Sequence, residues 1–301
     1  MKEFYRILFS VLILAFSACT PQSQAESSET PKDTEPIAAE FKVMSFNIKV
    51  DTTDDSTTAN GWGIRKDACV EMIRMQKPAI IGLQEATFTN QWKWLKEELK
   101  DKYDGYGLNR DTGKESANGE VMGILYDKTV LQISDHGTFW LSETPDKVSK
   151  SWNSACNRTA TWAIFVHKAS GRQFIYINTH LDHKSGDARI NGMRVISDRF
   201  EMYNPEGFPE ILTGDFNTTS DDEAFLYIDH KMKNARSSAP AGKTDNYTTY
   251  NAWKESTYSV IDHIYVSKDV KVLKYATILD KYGYCNFISD HYPIVAQIGL
   301  K

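Results

Sequence analysis

Cysteine is scarce in this 301-residue chain: there are four, with no Cys-x-x-Cys pair and no Cys/His spacing that would build a zinc site. Runs of Lys or Arg are missing too. The chain carries 35 Lys+Arg against 40 Asp+Glu, a net charge of −5, and only 3 and 5 of these fall in its first 39 residues. A domain so balanced is not built to grip duplex nucleic acid along its backbone, so any phosphate site must be local. No internal repeat runs through the sequence. Nor is there an apolar stretch long enough to span a bilayer as a helix; the longest, Ile7–Ala18, falls short.

That stretch follows a basic start at Lys2 and Arg6, weakened by Glu3, and ends in Phe16-Ser17-Ala18-Cys19. It reads as a targeting signal. Its end resembles the lipobox of bacterial lipoproteins, with Phe16 a loose fit at the first position. The resemblance implies cleavage before Cys19 and lipid on that cysteine; the alternative is a plain secretory signal. Residues 20–39, rich in Ser, Thr, Pro, Gln and Glu, have almost nothing to bury and read as a flexible tether. The expected division is a signal over 1–18, a lipidated tether over 19–39 and one domain over 40–301. A monomer anchored to the outer membrane is expected. The periplasmic side is favoured because the acidic residues of the tether begin only at Glu26. Cys69, Cys156 and Cys285 are then left, an odd number, so at least one thiol is free; Cys69 sits in a helical pattern and reads as core.

The domain is rich in short apolar runs. Strands are predicted over Phe41–Ile48, Ala79–Leu83, Val121–Tyr126, Leu131–Trp140, Thr159–His167, Phe174–Asn178, Pro209–Thr213, Tyr258–Ser267, Val272–Leu279 and Ile294–Ile298. Helical spacing runs over Trp62–Met75, Thr89–Lys100 with Asn90 as a cap, and Asp187–Met202. Ser220-Asp221-Asp222-Glu223 reads as a capping box opening another helix. Many strands with a few helices between them predict sheets packed face to face and covered outside by helices, an α+β sandwich.

Several strands end in polar residues. Residues 211–217 read Ile-Leu-Thr-Gly-Asp-Phe-Asn. In extended chain, side chains at i and i+2 leave on one face, so Asp215 and Asn217 are expected to point together while Phe216 packs behind. Similar ends carry Asn47, Glu85, Asn178 with His180, and Asp262; Ser289-Asp290-His291 lies just before the last strand. A turn explains any one of these, but not all together.

The ordered set Ser45-Phe46-Asn47, Gln84-Glu85, Asn178-Thr179-His180, Gly214-Asp215-Phe216-Asn217, Ile261-Asp262 and Ser289-Asp290-His291 resembles the endonuclease/exonuclease/phosphatase superfamily. Pancreatic deoxyribonuclease, apurinic endonucleases, inositol polyphosphate 5-phosphatases, neutral sphingomyelinases and nocturnin-type deadenylases belong to it. The match spans roughly residues 41–299. Phe139–Pro145, and Arg158 with Thr161-Trp162, further resemble a bacterial branch. The resemblance implies four layers, with two central mixed sheets, and metal-dependent hydrolysis of phosphoesters.

The residue types fit that chemistry. Glu85 is a hard oxygen donor suited to Mg²⁺ or Mn²⁺, with Asp290 a second candidate ligand. Asn47 is expected to support the metal or bind a phosphate oxygen. His291 is placed to take a proton from the attacking water, with Asp262 orienting its ring. His180 is a donor to a non-bridging oxygen or the leaving group. Asp215 positions the water or protonates the leaving oxygen, and Asn217 holds a phosphate oxygen. Asn178, Arg158 and Arg110 are the further phosphate-binding candidates, the arginines through bidentate donation. Arg65 reads as a helix-surface ion pair, His183 and Asp182 as loop, and His263 as packed on the opposite strand face from Asp262. Trp62, Trp140, Trp152 and Tyr126 are candidates for an aromatic rim. Substrates left in view are nucleic acid, nucleotides, phospholipid head groups and phospho-sugars. The 5-phosphatase branch is disfavoured because Ser259–Ile264 lacks its basic, Trp-containing block. A binding lipoprotein that keeps the fold without turnover is the alternative.

Overall fold

Alternation along the strands sets the layers. The computed structural model describes residues 36–52, 58–116, 119–255 and 259–301. The signal, Cys19, all but the last residues of the tether, and Tyr258 lie outside them.

One sheet holds β1 (Ala39–Asn47), β2 (Ile80–Thr87), β3 (Tyr103–Tyr106), β4 (Glu120–Asp127), β11 (Lys271–Thr277) and β12 (Ile294–Leu300), in the order β11-β12-β1-β2-β4-β3. The other holds β5 (Leu131–Trp140), β6 (Thr159–His167), β7 (Gln173–His180), β8 (Glu210–Asp215), β9 (Met232–Asn234) and β10 (Asp262–Ser267), in the order β5-β6-β7-β8-β10-β9. Each sheet is mixed. β1 pairs parallel with β2 and antiparallel with β12, while β7 pairs parallel with β8 and antiparallel with β6.

Three buried clusters separate four layers. Phe41, Val43, Ile80, Phe174, Tyr176, Ile264 and Ile298 fill the space between the sheets. The odd-even partners Met44, Phe46, Ile81 and Leu83 face the other way, onto Cys69, Met72 and Ile73 of α1 (Trp62–Gln76) and Leu95 of α2 (Lys93–Glu98). On the far side, Ile175, Ile177 and Leu212 meet Met193, Ile196 and Phe200 of α3 (Gly186–Tyr203). Burying about 25 cal/mol per Å² of apolar surface on both faces of both sheets is what holds the stack together. Cys69 is core, as expected, and Cys69, Cys156 and Cys285 are all free thiols.

The predicted strands are present, with β10 starting at Asp262 and β11 ending at Thr277. Two helix starts differ from expectation. The segment predicted to begin at Thr89 opens as a π-turn over Phe88–Trp92, with Thr87 rather than Asn90 in the cap position. Gln91 Oε1 folds back to accept from the Thr87 N–H at 2.9 Å, and the Asn90 amide reaches out to Asp51 at 3.1 Å. The supposed capping box gives a 3₁₀ turn over Glu223–Tyr227, capped by Asp222, which accepts from the Ala224 N–H at 2.9 Å.

Candidate active site

The polar residues of the strand ends meet at one end of the space between the sheets. In β7, β8 and β10 they form a single row, because His180 is in register with Asp215 and Asp215 with Asp262. His291 closes onto this row from the loop before β12. Its Nδ1 lies 2.8 Å from Asp262 Oδ2, and its Nε2 lies 3.7 Å from Asp215 Oδ2. His180 Nε2 lies 3.4 Å from the same Asp215 oxygen. The Tyr250 ring stands against His291 at 4.9 Å.

From the other sheet, the Asn47 amide donates at 2.9 Å to Asp215 Oδ2 and at 2.9 Å to Glu85 Oε1. Glu85 Oε2 accepts from the Val50 N–H at 2.9 Å. Strict alternation would send Glu85 to the helix side with Ile81 and Leu83. A bulge between Leu83 and Ala86, with Glu85 in left-handed conformation at φ 62°, swings it to the site instead. Such a conformation costs about 1–3 kcal/mol and is typical of functional positions. Asp290 pairs with Lys49 at 3.2 Å.

Charge follows from burial and neighbours. Burial works against a charge on His291, but the Asp262 and Asp215 carboxylates outweigh it and push the imidazole up to about 10. Burial, with Asp262 adding and His291 opposing, raises Asp215 to about 7. His180 is held neutral, well below the usual histidine range, by burial and then by Arg158 and Arg110. Glu85 is lowered: burial is overcome by Lys49, the Val50 N–H and the Asn47 amide. The site is therefore anionic at Glu85 and cationic at His291, with Asp215 a carboxyl that takes a proton more readily than an exposed one.

Glu85, His180, Asp215, Asp290 and His291 line a cavity of about 490 Å³ together with Arg110, Arg158 and Asn217, while Asn47 and Asp262 stand behind that lining. Asn217 reaches it by a different route from the one expected. The strand ends at Asp215, and Asn217 is left-handed at φ 52°, its N–H on Asp215 Oδ1 at 2.9 Å and its amide on the Leu181 carbonyl at 3.0 Å. A turn, not strand alternation, brings it to the site.

Asn178 does not reach the cavity. Its amide donates to the Leu83 and Gly123 carbonyls at 2.8 and 3.0 Å, and its Oδ1 accepts from Gln84 and Thr213 at 2.7 and 3.2 Å. With every hydrogen-bonding site used between the sheets, it has none left for a phosphate. Arg65 is not a surface ion pair. It is fully buried, with its guanidinium on the carbonyls of Asn60, Ile48 and Ile288 at 2.5, 2.8 and 2.7 Å. The aromatic rim is also absent from the cavity lining. Trp62 and Trp140 are buried, Tyr126 stands edge-on to Phe165, and Trp152 packs on the α3-side core.

Glu120, Cys156, Lys49 and Tyr250 line the cavity without having been singled out as site residues, and His183, read as loop, lines it too. His183 comes from the turn after His180, and Tyr250 is bridged to His291. Only proximity in sequence to an identified residue would have pointed to His183 or Lys49. Asp182, read as plain loop, is a buried hub that accepts from Ser154, Ala155, Lys184, Ser185 and Arg158.

The donor set fits a hard divalent cation. Glu85, His180 and Asp215 each offer an atom within 4.8 Å of the others, as do Asp215, Asp262 and His291. The second group is closed by its own Asp262–His291 bond, which leaves the Glu85 corner as the better seat, with Asn47 and Asp290 beside it. Asp262 Oδ1 and His180 Nδ1 are buried with no hydrogen bond, so the site holds polar capacity that the protein does not itself satisfy.

Known proteins resemble the chain over the same span. The sequence profile described as "Endonuclease/Exonuclease/phosphatase family" matches residues 44–291. An endonuclease/exonuclease/phosphatase family protein from Bacteroides thetaiotaomicron is 30% identical, with a TM-score of 0.80, over 87% of this chain and 98% of that one. A mannosyl-6-phosphatase from the same organism is 31% identical, with a TM-score of 0.79, over 86% and 99%. The human Nocturnin catalytic domain, 20% identical over 87% and 95% with a TM-score of 0.68, shares the fold. A search of curated proteins found no match. The chain belongs to the endonuclease/exonuclease/phosphatase family, whose members hydrolyse phosphoester bonds and generally use divalent metal ions.

Proposed function

We propose that this protein is a Mg²⁺- or Mn²⁺-dependent phosphoester hydrolase acting on a phospho-sugar. The observation that carries the reading is the His180–Asp215–Asp262 row, capped by His291 and facing Glu85 across the gap between the sheets. Glu85, with Asp290 and Asn47, would hold the ion; bound there, it would supply positive charge to the phosphate oxygens. His291, kept charged by Asp262, donates to a phosphoryl oxygen. Asp215, raised to about 7, takes the proton of the attacking water. Neutral His180 donates through Nε2 to an oxygen of the substrate, and Asn217, Arg158 and Arg110 hold phosphate oxygens from the cavity wall. The phospho-sugar rests on the 31% identity to a mannosyl-6-phosphatase and on a cavity of about 490 Å³, a size that suits a small ligand. A binder that never turns over substrate has no use for the buried Asp262–His291 pair.

Turnover of p-nitrophenyl phosphate, bis-p-nitrophenyl phosphate and mannose 6-phosphate with Mg²⁺ or Mn²⁺ tests this. Activity should vanish in EDTA and fall at least a thousandfold in His291→Ala. No metal-dependent turnover, or an unchanged rate in His291→Ala, would sink the reading. Export on a Cys19 lipid is part of the same proposal, and Cys19→Ala should move the protein out of the membrane fraction.

A further inference from the structure

Two side chains on one wall of the cavity, Glu120 and His183, have no role in the chemistry above, and each is paired with an arginine that does. Arg158, 5% exposed, donates through Nε to Asp182 Oδ2 at 3.2 Å and through Nη2 to His183 Nδ1 at 2.8 Å. A guanidinium can only donate. His183 Nδ1 must therefore accept, and the ring carries its proton on Nε2. Asp182 cannot drift, because Ser154 and Ala155 bind one oxygen and the backbone of Lys184 and Ser185 the other, all at 2.9–3.0 Å. Arg158 Nη1 makes no hydrogen bond among the described residues.

Beside this pair, Glu120 Oε2 accepts from Arg110 Nη1 at 2.6 Å, with side-chain exposures of 16% and 13%. Arg110 Nε is buried without a hydrogen bond, while the Trp140 indole, on the Arg110 carbonyl at 2.7 Å, steadies the loop. Glu120 opens β4, next in register to Thr87 just past Glu85.

This wall mixes donors with a carboxylate acceptor. Glu120 holds Arg110 through Oε2, and its place on the cavity lining sets a carboxylate acceptor beside those donors. Tyr250, the one Phe, Tyr or Trp side chain on the cavity lining among the described residues, already stands against His291 and is not free to stack on a base. Hydroxyl groups both donate and accept, and a carboxylate beside guanidinium and imidazole N–H groups matches a row of them. We infer that Glu120 and His183 are specificity-determining residues that bind the hydroxyls of a polyol leaving group, Glu120 as acceptor and His183 as donor through Nε2. This rests on the phospho-sugar hydrolase reading and assigns the residues that would select the sugar.

The test is the ratio of kcat/KM for mannose 6-phosphate to that for p-nitrophenyl phosphate, which offers no hydroxyls to read. Glu120→Gln and His183→Ala should each lower the ratio about 10–100-fold, mainly through KM for the sugar substrate. His183→Gln, which keeps an N–H at a similar reach, should recover most of it. His183 is solvent-exposed, so the fold tolerates its replacement even if Glu120→Gln proves unstable. A ratio within twofold of wild type in His183→Ala overturns the inference, since a structural role would lower both activities together. Wild-type turnover of p-nitrophenyl phosphate without any of mannose 6-phosphate also overturns it but leaves a phosphoester hydrolase standing. No turnover of either substrate sinks the reading beneath it.

Discussion

The two ends of the space between the sheets are made by the same strands and do opposite things. Inward positions of β1 run Phe41, Val43, Ser45, Asn47; those of β7 run Phe174, Tyr176, Asn178, His180. β8 repeats the gradient with Ile211, Thr213, Asp215, and β10 in reverse with Val266, Ile264, Asp262. One end is a dry apolar core and the other a charged site, with a neutral hydrogen-bonded band between. Period-two alternation lets one strand carry all three on one face. Stability is thereby built at one end of each strand, and the buried charges that oppose it are confined to the other.

Breaking the charged end should have the largest effect on rate and the least on stability. Asp262→Asn keeps the shape of the residue but withdraws the charge that orients His291, so kcat should fall about 10³-fold or more, roughly 4 kcal/mol. The same change relieves the repulsion that Asp262 exerts on buried Asp215 and withdraws the main partner of the buried His291 charge, two effects of opposite sign. Thermal melting should therefore show a Tm close to wild type; a clear drop would mean that the cluster holds the fold together.

The apolar end should answer in the opposite way. Phe174 is fully buried, stacked on Phe41 and Phe165 at 5.2 and 5.5 Å. Phe174→Ala should cost about 3–5 kcal/mol in urea unfolding. Activity per folded molecule, measured well below the melting point, should stay within twofold. If it falls in step with stability, the two ends are mechanically coupled.

Asn178 in the middle band should show both effects, each smaller. It ties the carbonyl of Leu83 and the amide of Gln84, just before Glu85, to the strand that carries His180 two residues later. The sheets approach so closely here that a Cβ on Gly82 would fall 2.3 Å from Asn178 Oδ1. Asn178→Ala leaves four buried partners without it. That should cost about 2–3 kcal/mol and lower activity per folded molecule about tenfold. Loss of stability alone would make Asn178 purely structural.

The gradient is also what made much of the molecule legible. Apolar alternation ending in Asn, Glu, His or Asp marked the strands and placed Asn47, His180, Asp215, Asp262 and, from the loop before the last strand, His291. Alternation could not show where it stops. Asn217 arrives through a left-handed turn, and Glu85 through a bulge that reverses its face. Nor could it tell Asn178 from the residues that reach the cavity, because the two share a face and differ only in depth. Arg65 was illegible for another reason: its partners are backbone carbonyls, which leave no acidic residue in the sequence to find. The wall of Glu120 and His183 depends on side-chain pairs, Glu120 with Arg110 and His183 with Arg158, for which spacing carries no signal.

The smallest effect lies one residue from Asp262, on the opposite face of β10. His263 is buried among Phe216 and Phe225, with ring centroids at 5.6 and 5.4 Å, and its Nε2 lies 3.1 Å from the Thr218 carbonyl. No carboxylate faces it as closely as two face His291, and burial lowers it from 6.5 to about 4 despite the Thr218 bond. Its folded value lies below its unfolded one, so the unfolded chain takes up the proton first as pH falls. The stability is complete above 6.5 and is lost as pH falls toward 4. About 2 kcal/mol should go between pH 8 and pH 5. His263→Phe removes the titrating group while filling the space among the same rings. It should be less stable than wild type at pH 8, having lost the Thr218 bond, and should close that gap by about 2 kcal/mol at pH 5. Parallel losses in the two proteins would mean that His263 does not titrate differently from an exposed histidine, and that burial alone does not separate it from His291.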